Sequence, residues 1–245
     1  GLGVANTSLV DGREGVTVAM HSGQYQAGHQ HADQNAFVIN AYGEKLAIDS
    51  GYYDWYGSPH FKEYSTKTEA HNSILVGGNG QAVFRNGADG RMSAWFDGAG
   101  HTWMVGDASD PDVYDGKLTR FDRRILFIKP GVVVMHDLLA APEPASFQWL
   151  LHTAAPIELD ETRQALDVVS GEAAMGAVML RPAGLSFGIT DRYPVHPYTG
   201  YGTVLVPEDE LAQEWHLRAE APAASEREFL TVFDIRRSGD EAAST

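Results

Sequence analysis

The sequence predicts an all-β protein built as a large antiparallel two-sheet sandwich. Runs of alternating, β-branched or aromatic residues recur along the 245 residues, and short clusters such as "VGGNGQ" and "NGADG" separate them. Helical periodicity is scarce, since only 208–214 and parts of 157–166 look locally helical. Many strands joined by tight turns are typical of such a sandwich.

The strand pattern recurs from residue 16 to residue 234. The predicted strands are 16–20, 36–42, 45–49, 73–76, 91–96, 102–106, 122–128, 132–137, 146–152, 174–181, 186–189, 202–206, 215–219 and 228–234. No internal repeat or linker divides the chain. We therefore expect one domain over 1–245, with a frayed tail at 236–245.

Composition and charge limit the classes of partner. Hydrophobic residues make up 43% and charged residues 21% of the chain, a globular balance. No apolar run reaches the roughly 18 residues of a membrane span. The net charge of −15 argues against nucleic acid and anionic membranes as partners. An acidic substrate needs a local positive patch, for which "RFDRR" at 120–124 is the candidate.

The chain contains no cysteine, so any metal must be held by His, Asp, Glu or backbone oxygen. This composition is compatible with a bacterial periplasm or cytoplasm and does not choose between them. No signal peptide is visible at Gly1. The sequence leaves open whether a longer protein contains this chain and whether it forms a homo-oligomer.

Three early segments each offer a metal ligand in a β context. "AGHQHADQNAF" places His29 and His31 two residues apart, so both side chains share one face if the segment is extended. In "LAIDSGYY", Asp49 ends an alternating strand and is followed by Ser-Gly, and in "TEAHNSI" His71 starts the next apolar run. Two imidazoles and one carboxylate suit zinc.

These motifs, in this order, resemble a known family. "GHQHADQNAF", "GEKLAIDSGYY" and "STKTEAHNSILVGG" are similar to the heparinase II/III-like β-domain of alginate lyases and heparinoid lyases. The likeness covers about residues 16–80 and continues more loosely to about residue 153. In that family a helical toroid precedes the sandwich, and this chain contains no such helical region. The toroid would therefore be an upstream segment or a separate chain, and the sandwich alone would lack part of the cleft.

The resemblance implies a structural zinc beside a catalytic cleft. It assigns His31, Asp49 and His71 as the zinc ligands and places His29 in the cleft. The implied reaction is β-elimination in a uronic-acid-containing polysaccharide or oligosaccharide, of the alginate or the heparin and heparan sulfate type. Which uronate is cleaved, and whether action is endo or exo, stays open.

Other side chains are candidates for this cleft. The resemblance assigns a catalytic tyrosine, for which Tyr56 is the best match, although Tyr52 and Tyr53 in "GYYDWYGS" remain alternatives. Trp55, in the same polar loop, is expected to stack on a sugar ring. His60 lies on an expected loop and is a candidate for substrate contact.

Two other functions compete with the lyase. A cupin-type metalloprotein, either a dioxygenase or a sugar-binding protein, would use both His29 and His31 as metal ligands. Against it, Gln34 and Asn35 stand where a cupin would carry its acidic ligand. The other competitor is a non-catalytic carbohydrate-binding sandwich in which zinc only ties strands together.

Overall fold

The fold consists almost entirely of β-strands. The computed structural model describes residues 1–26, 29–52, 55–199, 204–205 and 207–241. The strands are β1 Leu2–Asn6, β2 Val16–His21, β3 Ala36–Ala41, β4 Glu44–Ala47, β5 Ile74–Val76, β6 Arg91–Asp97, β7 His101–Asp107, β8 Arg120–Ile128, β9 Val132–Thr153, β10 Ile157–Asp160, β11 Ala165–Ser170, β12 Ala173–Arg181, β13 Ser186–Thr190, β14 Tyr198–Thr199, β15 Val204–Leu205 and β16 Trp215–Arg237.

Helical structure is limited to single turns in the described part of the chain. A π-helical turn covers Phe61–Ser65, and 3₁₀ turns cover Thr68–Ala70 and Glu208–Glu210. None of these helices is long and apolar enough to cross a membrane.

Two antiparallel sheets form the sandwich, as the sequence predicts. The smaller sheet has the order β1-β2-β3-β4. The larger sheet has the order β10-β11-β12-β16-β9-β8-β7-β6, with β13 paired to β16 and β5 paired to β9. The two sheets share one core, in which the Phe37 ring of β3 lies 6.0 Å from Trp149 of β9 and 5.9 Å from Phe233 of β16.

The largest departure from the predicted strands concerns β9 and β16. The sequence predicts each as two short strands, at 132–137 and 146–152 and at 215–219 and 228–234, on either side of "AAPEPAS" and "APAASERE". Instead each runs unbroken, and the two pair with each other along their length. Register shifts between Ala221 and Glu226 accommodate the proline-containing middle of the pair.

Smaller points concern the expected helices, the strand predicted at 202–206 and the tail. The stretch 157–166 forms β10, a turn and the start of β11, because the Asp160 carboxylate caps the turn through Thr162 Oγ1 and the Arg163 amide. Of 202–206, residues 202, 203 and 206 lie outside the described residues. The expected frayed tail begins inside β16, which ends at Arg237.

A buried ion pair joins β8 to β9. Arg123 follows the inward alternation of Phe121, Ile125 and Phe127, and both Arg123 and Asp137 have no exposed side-chain surface. The two residues face each other in register, and two hydrogen bonds of 2.7 and 2.8 Å join them. The prediction of a positive surface patch at 120–124 is therefore wrong for Arg123, which is buried.

The Arg123 guanidinium also holds segments outside its own sheet. Its Nη1 donates to the carbonyls of Asn35 at 2.8 Å and Asn72 at 2.5 Å. It lies 5.2 Å from the centre of the Phe37 ring, a cation–π contact. A buried charge is costly unless it is fully paired, and here the carboxylate and two carbonyls satisfy it.

Substituting one partner of this pair is expected to destabilise the fold strongly. Arg123→Met leaves the Asp137 carboxylate buried without its partner, so the free energy of unfolding should fall by about 3–5 kcal/mol. Urea unfolding measures the change. Arg124→Met, one residue along on the opposite face of β8, is the matched control and should change stability by no more than about 0.5 kcal/mol. Equal effects of the two substitutions would contradict this role for Arg123.

Candidate functional site

Most of the residues predicted for the site line one pocket of about 590 Å³. The predicted residues among its lining are His29, His31, Asp49, Tyr52, Tyr56 and His71. Ser50 and Phe61 also line it. Residues up to 42 positions apart in sequence thus meet in one cleft, which is lined by the segments that precede β3 and follow β4.

Asn72 fixes the loop that carries His71. Its Nδ2 donates to the carbonyls of Phe37 at 2.8 Å and Ile48 at 2.9 Å, and its Oδ1 accepts from the His152 amide at 2.7 Å. Because Ile48 precedes Asp49, the same amide side chain holds the Asp49 and His71 backbones together. The fully buried Asn72 side chain therefore fixes the position of Asp49 relative to His71.

His71 and Asp49 form the inner part of the pocket. His71 is 2% exposed, and its Nδ1 lies 3.1 Å from Oδ1 of Asp49, whose side chain is 52% exposed. Burial acts to lower the pKa of His71, but the Asp49 hydrogen bond and negative charge outweigh it and raise the pKa. The Ser65 carbonyl also favours the charged form, but it does not complete a hydrogen bond. Among the described residues, Nε2 is a buried polar atom without a hydrogen-bond partner.

His31 lies beside His71, with 5.2 Å between the ring centres. Burial, and then the nearby His71, lowers the pKa of His31, so the neutral imidazole is favoured. Asp33 faces the same cluster and lies 3.1 Å from Nδ1 of His21. Burial acts to raise the pKa of Asp33, but the His21 hydrogen bond and the charge of His71 lower it.

Sequence reasoning overlooked Asp33, although a signal existed. In "HADQ" it lies two residues after His31, the same spacing that relates His29 to His31. It adds a second carboxylate close to the two imidazoles.

His29 and Tyr56 form the outer part of the pocket. Their ring centres are 5.4 Å apart, and Tyr56 also contacts Phe61 at 4.8 Å. Both side chains are exposed, so a ligand in the pocket can reach them. Of the alternative tyrosines, Tyr52 lines the pocket, and Tyr53 lies outside the described residues.

Trp55 and His60, the two predicted substrate-binding residues, do not line this pocket. Trp55 is half-buried. His60 is fully buried, in contrast to the loop position we expected. Its Nδ1–H donates to the Val195 carbonyl at 2.6 Å, and Nε2 accepts from the Tyr52 amide at 3.1 Å. The structure thus shows His60 holding the Tyr52 backbone.

A polar network behind the pocket was not foreseen. Ser50 Oγ donates to Glu214 at 2.7 Å and lies 2.6 Å from the Tyr64 hydroxyl, and the Gly51 amide also donates to Glu214. Burial raises the pKa of both Glu214 and Tyr64. Glu214 is 163 residues from Gly51 in sequence, and no local pattern pairs the two.

The donor set fits a zinc ion chemically, although a finished site is not formed. In the part of the chain that the structure describes, no three His, Asp or Glu side chains are arranged to hold a metal ion. The unpartnered Nε2 of His71 and the neutral imidazole of His31 are nevertheless nitrogen donors of the kind that zinc binds. In the neutral ring, the Asp49 carboxylate holds the proton on Nδ1, so the Nε2 lone pair is available to a metal ion.

The family described as "Heparinase II/III-like, C-terminal" matches residues 6–236. The chain belongs to this family. The family predicted from the sequence motifs is thus confirmed. This assignment replaces the cupin interpretation. In the structure, the His29 ring contacts Tyr56, whereas the His31 ring contacts His71.

Solved heparinase structures share the fold of this heparinase II/III-like domain. A heparinase III, the BT4657 gene product, matches with a TM-score of 0.77 and 16% identity, over 97% of this chain and 35% of that one. The heparan sulfate lyase HepC from Pedobacter heparinus matches with a TM-score of 0.76 and 13% identity, over 98% and 36%. The chain thus spans about a third of these structures. A comparison with curated proteins gave no match.

The partly buried His216, which contacts Tyr64 behind the pocket, predicts a pH dependence of stability. Burial lowers the pKa of His216 from 6.5 to about 4. The unfolded chain therefore takes up a proton first, and stability should be lost as the pH falls from about 6.5 to about 4. Urea midpoints at several pH values should fall over this window, and less steeply in His216→Gln. An equal slope in that variant would show that His216 does not contribute.

Proposed function

We propose that this chain is the β-sandwich part of a polysaccharide lyase that cleaves a uronic-acid-containing polysaccharide by β-elimination. The observation that carries the proposal is the exposed His29–Tyr56 pair, with ring centres 5.4 Å apart, at the mouth of the His31–Asp49–His71 pocket. The family assignment supports a polysaccharide substrate of the kind on which the named heparan sulfate lyase acts.

The reaction needs two proton transfers. A base removes the C5 proton of the uronate, a C4–C5 double bond forms as the C4–O bond breaks, and an acid protonates the departing glycosidic oxygen. We assign these tasks to Tyr56 and His29, since a phenol and an imidazole can each accept or donate a proton. His29 is also placed to hydrogen-bond the uronate carboxylate, which makes the C5 proton easier to remove.

The cleft formed by this chain is incomplete. No Lys or Arg is among the described residues that line the pocket, and the net charge of the chain is −15. An acidic substrate therefore needs positive or neutral donors from elsewhere. Because the chain spans about a third of the similar structures, we propose that a helical domain, upstream or in a separate chain, supplies the other wall.

A structural zinc fits this proposal. His31 and His71 would hold the ion through ring nitrogens, with Asp49 as the third ligand or as the carboxylate that orients His71. When bound, zinc would tie the segments that carry these residues together and place a positive charge beside the cleft. The role of His31 and His71 is then to fix the frame on which His29 is mounted.

Metal content is the first prediction of this function. The purified chain, supplied with zinc and freed of excess by gel filtration, should retain about one ion, because two imidazoles and a carboxylate meet here. His31→Ala and His71→Ala should lower retention at least tenfold, whereas His29→Ala should leave it unchanged. Elemental analysis measures the metal. Retention by the His31 and His71 variants would contradict the ligand assignment.

Turnover is the second prediction. His29→Ala and Tyr56→Phe should each lower kcat for elimination by about a hundredfold or more, because each removes a proton-transfer group. Formation of the unsaturated uronate from heparan sulfate, heparin or alginate is followed by ultraviolet absorbance. The assay is run on the chain alone and with a helical domain supplied.

The control for this assay is His101→Ala, an exposed histidine on the larger sheet, which should keep full turnover. Full turnover by His29→Ala would remove that residue from the mechanism. Absence of elimination from every uronate, with the helical domain present and zinc bound, would favour the non-catalytic sandwich.

A further inference from the structure

A second pocket, of about 590 Å³, lies on the outer face of the larger sheet. Strands β9, β16 and β13 run side by side there, with His216 opposite His152 and Thr190, and Arg218 opposite Leu150 and Gly188. Their neighbours Leu151 and Leu217 belong to the core. Because alternate residues of a strand share a face, these side chains form the floor of the pocket.

A chain of hydrogen bonds fixes the imidazole of His216. The Glu214 carboxylate accepts the proton of Ser50 Oγ at 2.7 Å, so Ser50 Oγ accepts from the Tyr64 hydroxyl at 2.6 Å. The Tyr64 oxygen then accepts from Nδ1 of His216 at 3.2 Å. This order places the ring proton on Nδ1 and leaves Nε2 with a lone pair.

Nε2 of His216 is a buried acceptor with no partner in the described part of the chain. An unpaired buried acceptor is costly, and a ligand that donates a hydrogen bond would satisfy it. A hydroxyl group is such a donor. The exposed Arg218 and Arg192 line the same pocket, and Glu69 contributes a carboxylate to the lining.

The remaining lining provides an apolar surface and free space. The Tyr193 ring lies 5.6 Å from the His216 ring, and Leu150 and Ile189 also line the pocket. A side chain added at Gly188 would meet nothing within 4 Å of its Cβ. A pyranose ring has the matching chemistry, with an apolar face, several hydroxyls and, in acidic sugars, a negative group.

We propose that this pocket is a second binding site for an acidic saccharide unit. A sugar hydroxyl donates to Nε2 of His216, and the carboxylate or sulfate of the same unit pairs with Arg218. The choice of a uronate as the ligand rests on the proposed function. The site itself is separate from the elimination pocket, because the two pockets share no lining residue; Ser50 of the elimination pocket is hydrogen-bonded to Tyr64 of the second pocket.

The test is titration of the chain with a disaccharide that contains glucuronic acid, followed by two-dimensional NMR. The amides of Thr190 and Leu217 report on this pocket, and those of Ser50 and His71 report on the elimination pocket. Arg218→Gln should weaken binding at the Thr190 and Leu217 amides about tenfold, because it removes a charged hydrogen bond. A disaccharide whose carboxylate is reduced to an alcohol should bind the wild type about as weakly as the acidic disaccharide binds Arg218→Gln.

Two further variants make the result specific. Gly188→Val fills the space without removing a polar group and should abolish saturable shifts at Thr190 and Leu217. Arg163→Gln makes the same charge change at the exposed turn between β10 and β11 and should leave binding unchanged.

The outcomes separate this inference from the proposed function. Saturable shifts at Thr190 and Leu217 that both pocket substitutions reduce support the second site, even where no uronate is eliminated. No saturable shift at these amides, or shifts that Arg218→Gln and Gly188→Val leave unchanged, would overturn it, even where elimination proceeds.

Discussion

The buried side chain of Asn72 and the Arg123 guanidinium beneath it hold this domain together at its functional end. Arg123 binds the Asn72 carbonyl and is itself neutralised by Asp137. The Asn72 amide in turn bonds to β3, to the segment after β4 and to β9. One charged group and one amide thereby join both sheets and the loop of His71. Without them, at least five buried polar groups would lose partners at once.

This anchoring produces a gradient of exposure across the site. His71, next to Asn72, is almost completely buried and bonded to Asp49. His31 lies beside it, half-buried, and His29 and Tyr56 lie exposed at the mouth. A group that transfers protons must reach its substrate, yet it must also be held in place. Mounting His29 two residues from a buried cluster meets both requirements.

The sequence predicted a good part of this arrangement. Tight turns and alternating runs indicated the sandwich, and three ordered motifs indicated the residues that meet in the pocket. The buried ion pair was missed, since Arg123 was assigned to a surface patch, although the pattern held a signal: Arg123 alternates with Phe121, Ile125 and Phe127, and Asp137 alternates with Met135 and Leu139. Charged residues at two inward positions of neighbouring strands predict a buried pair.

Other features depend on contacts that no local pattern carries. The continuity of β9 and β16 through their proline-containing middles depends on each strand providing the backbone partners of the other. The approach of Glu214 to Ser50, and of His216 to Tyr64, joins residues more than 150 positions apart. Such pairings are set by the packing of the whole domain, so a single sequence does not reveal them.

Anomalous diffraction at the zinc absorption edge, from crystals grown with zinc, would locate the ion among these side chains. We expect one strong peak within bonding distance of Nε2 of His71 and a ring nitrogen of His31, with the Asn72 hydrogen bonds in place. A peak shared by His29 and His31, or no peak near His71, would contradict this expectation.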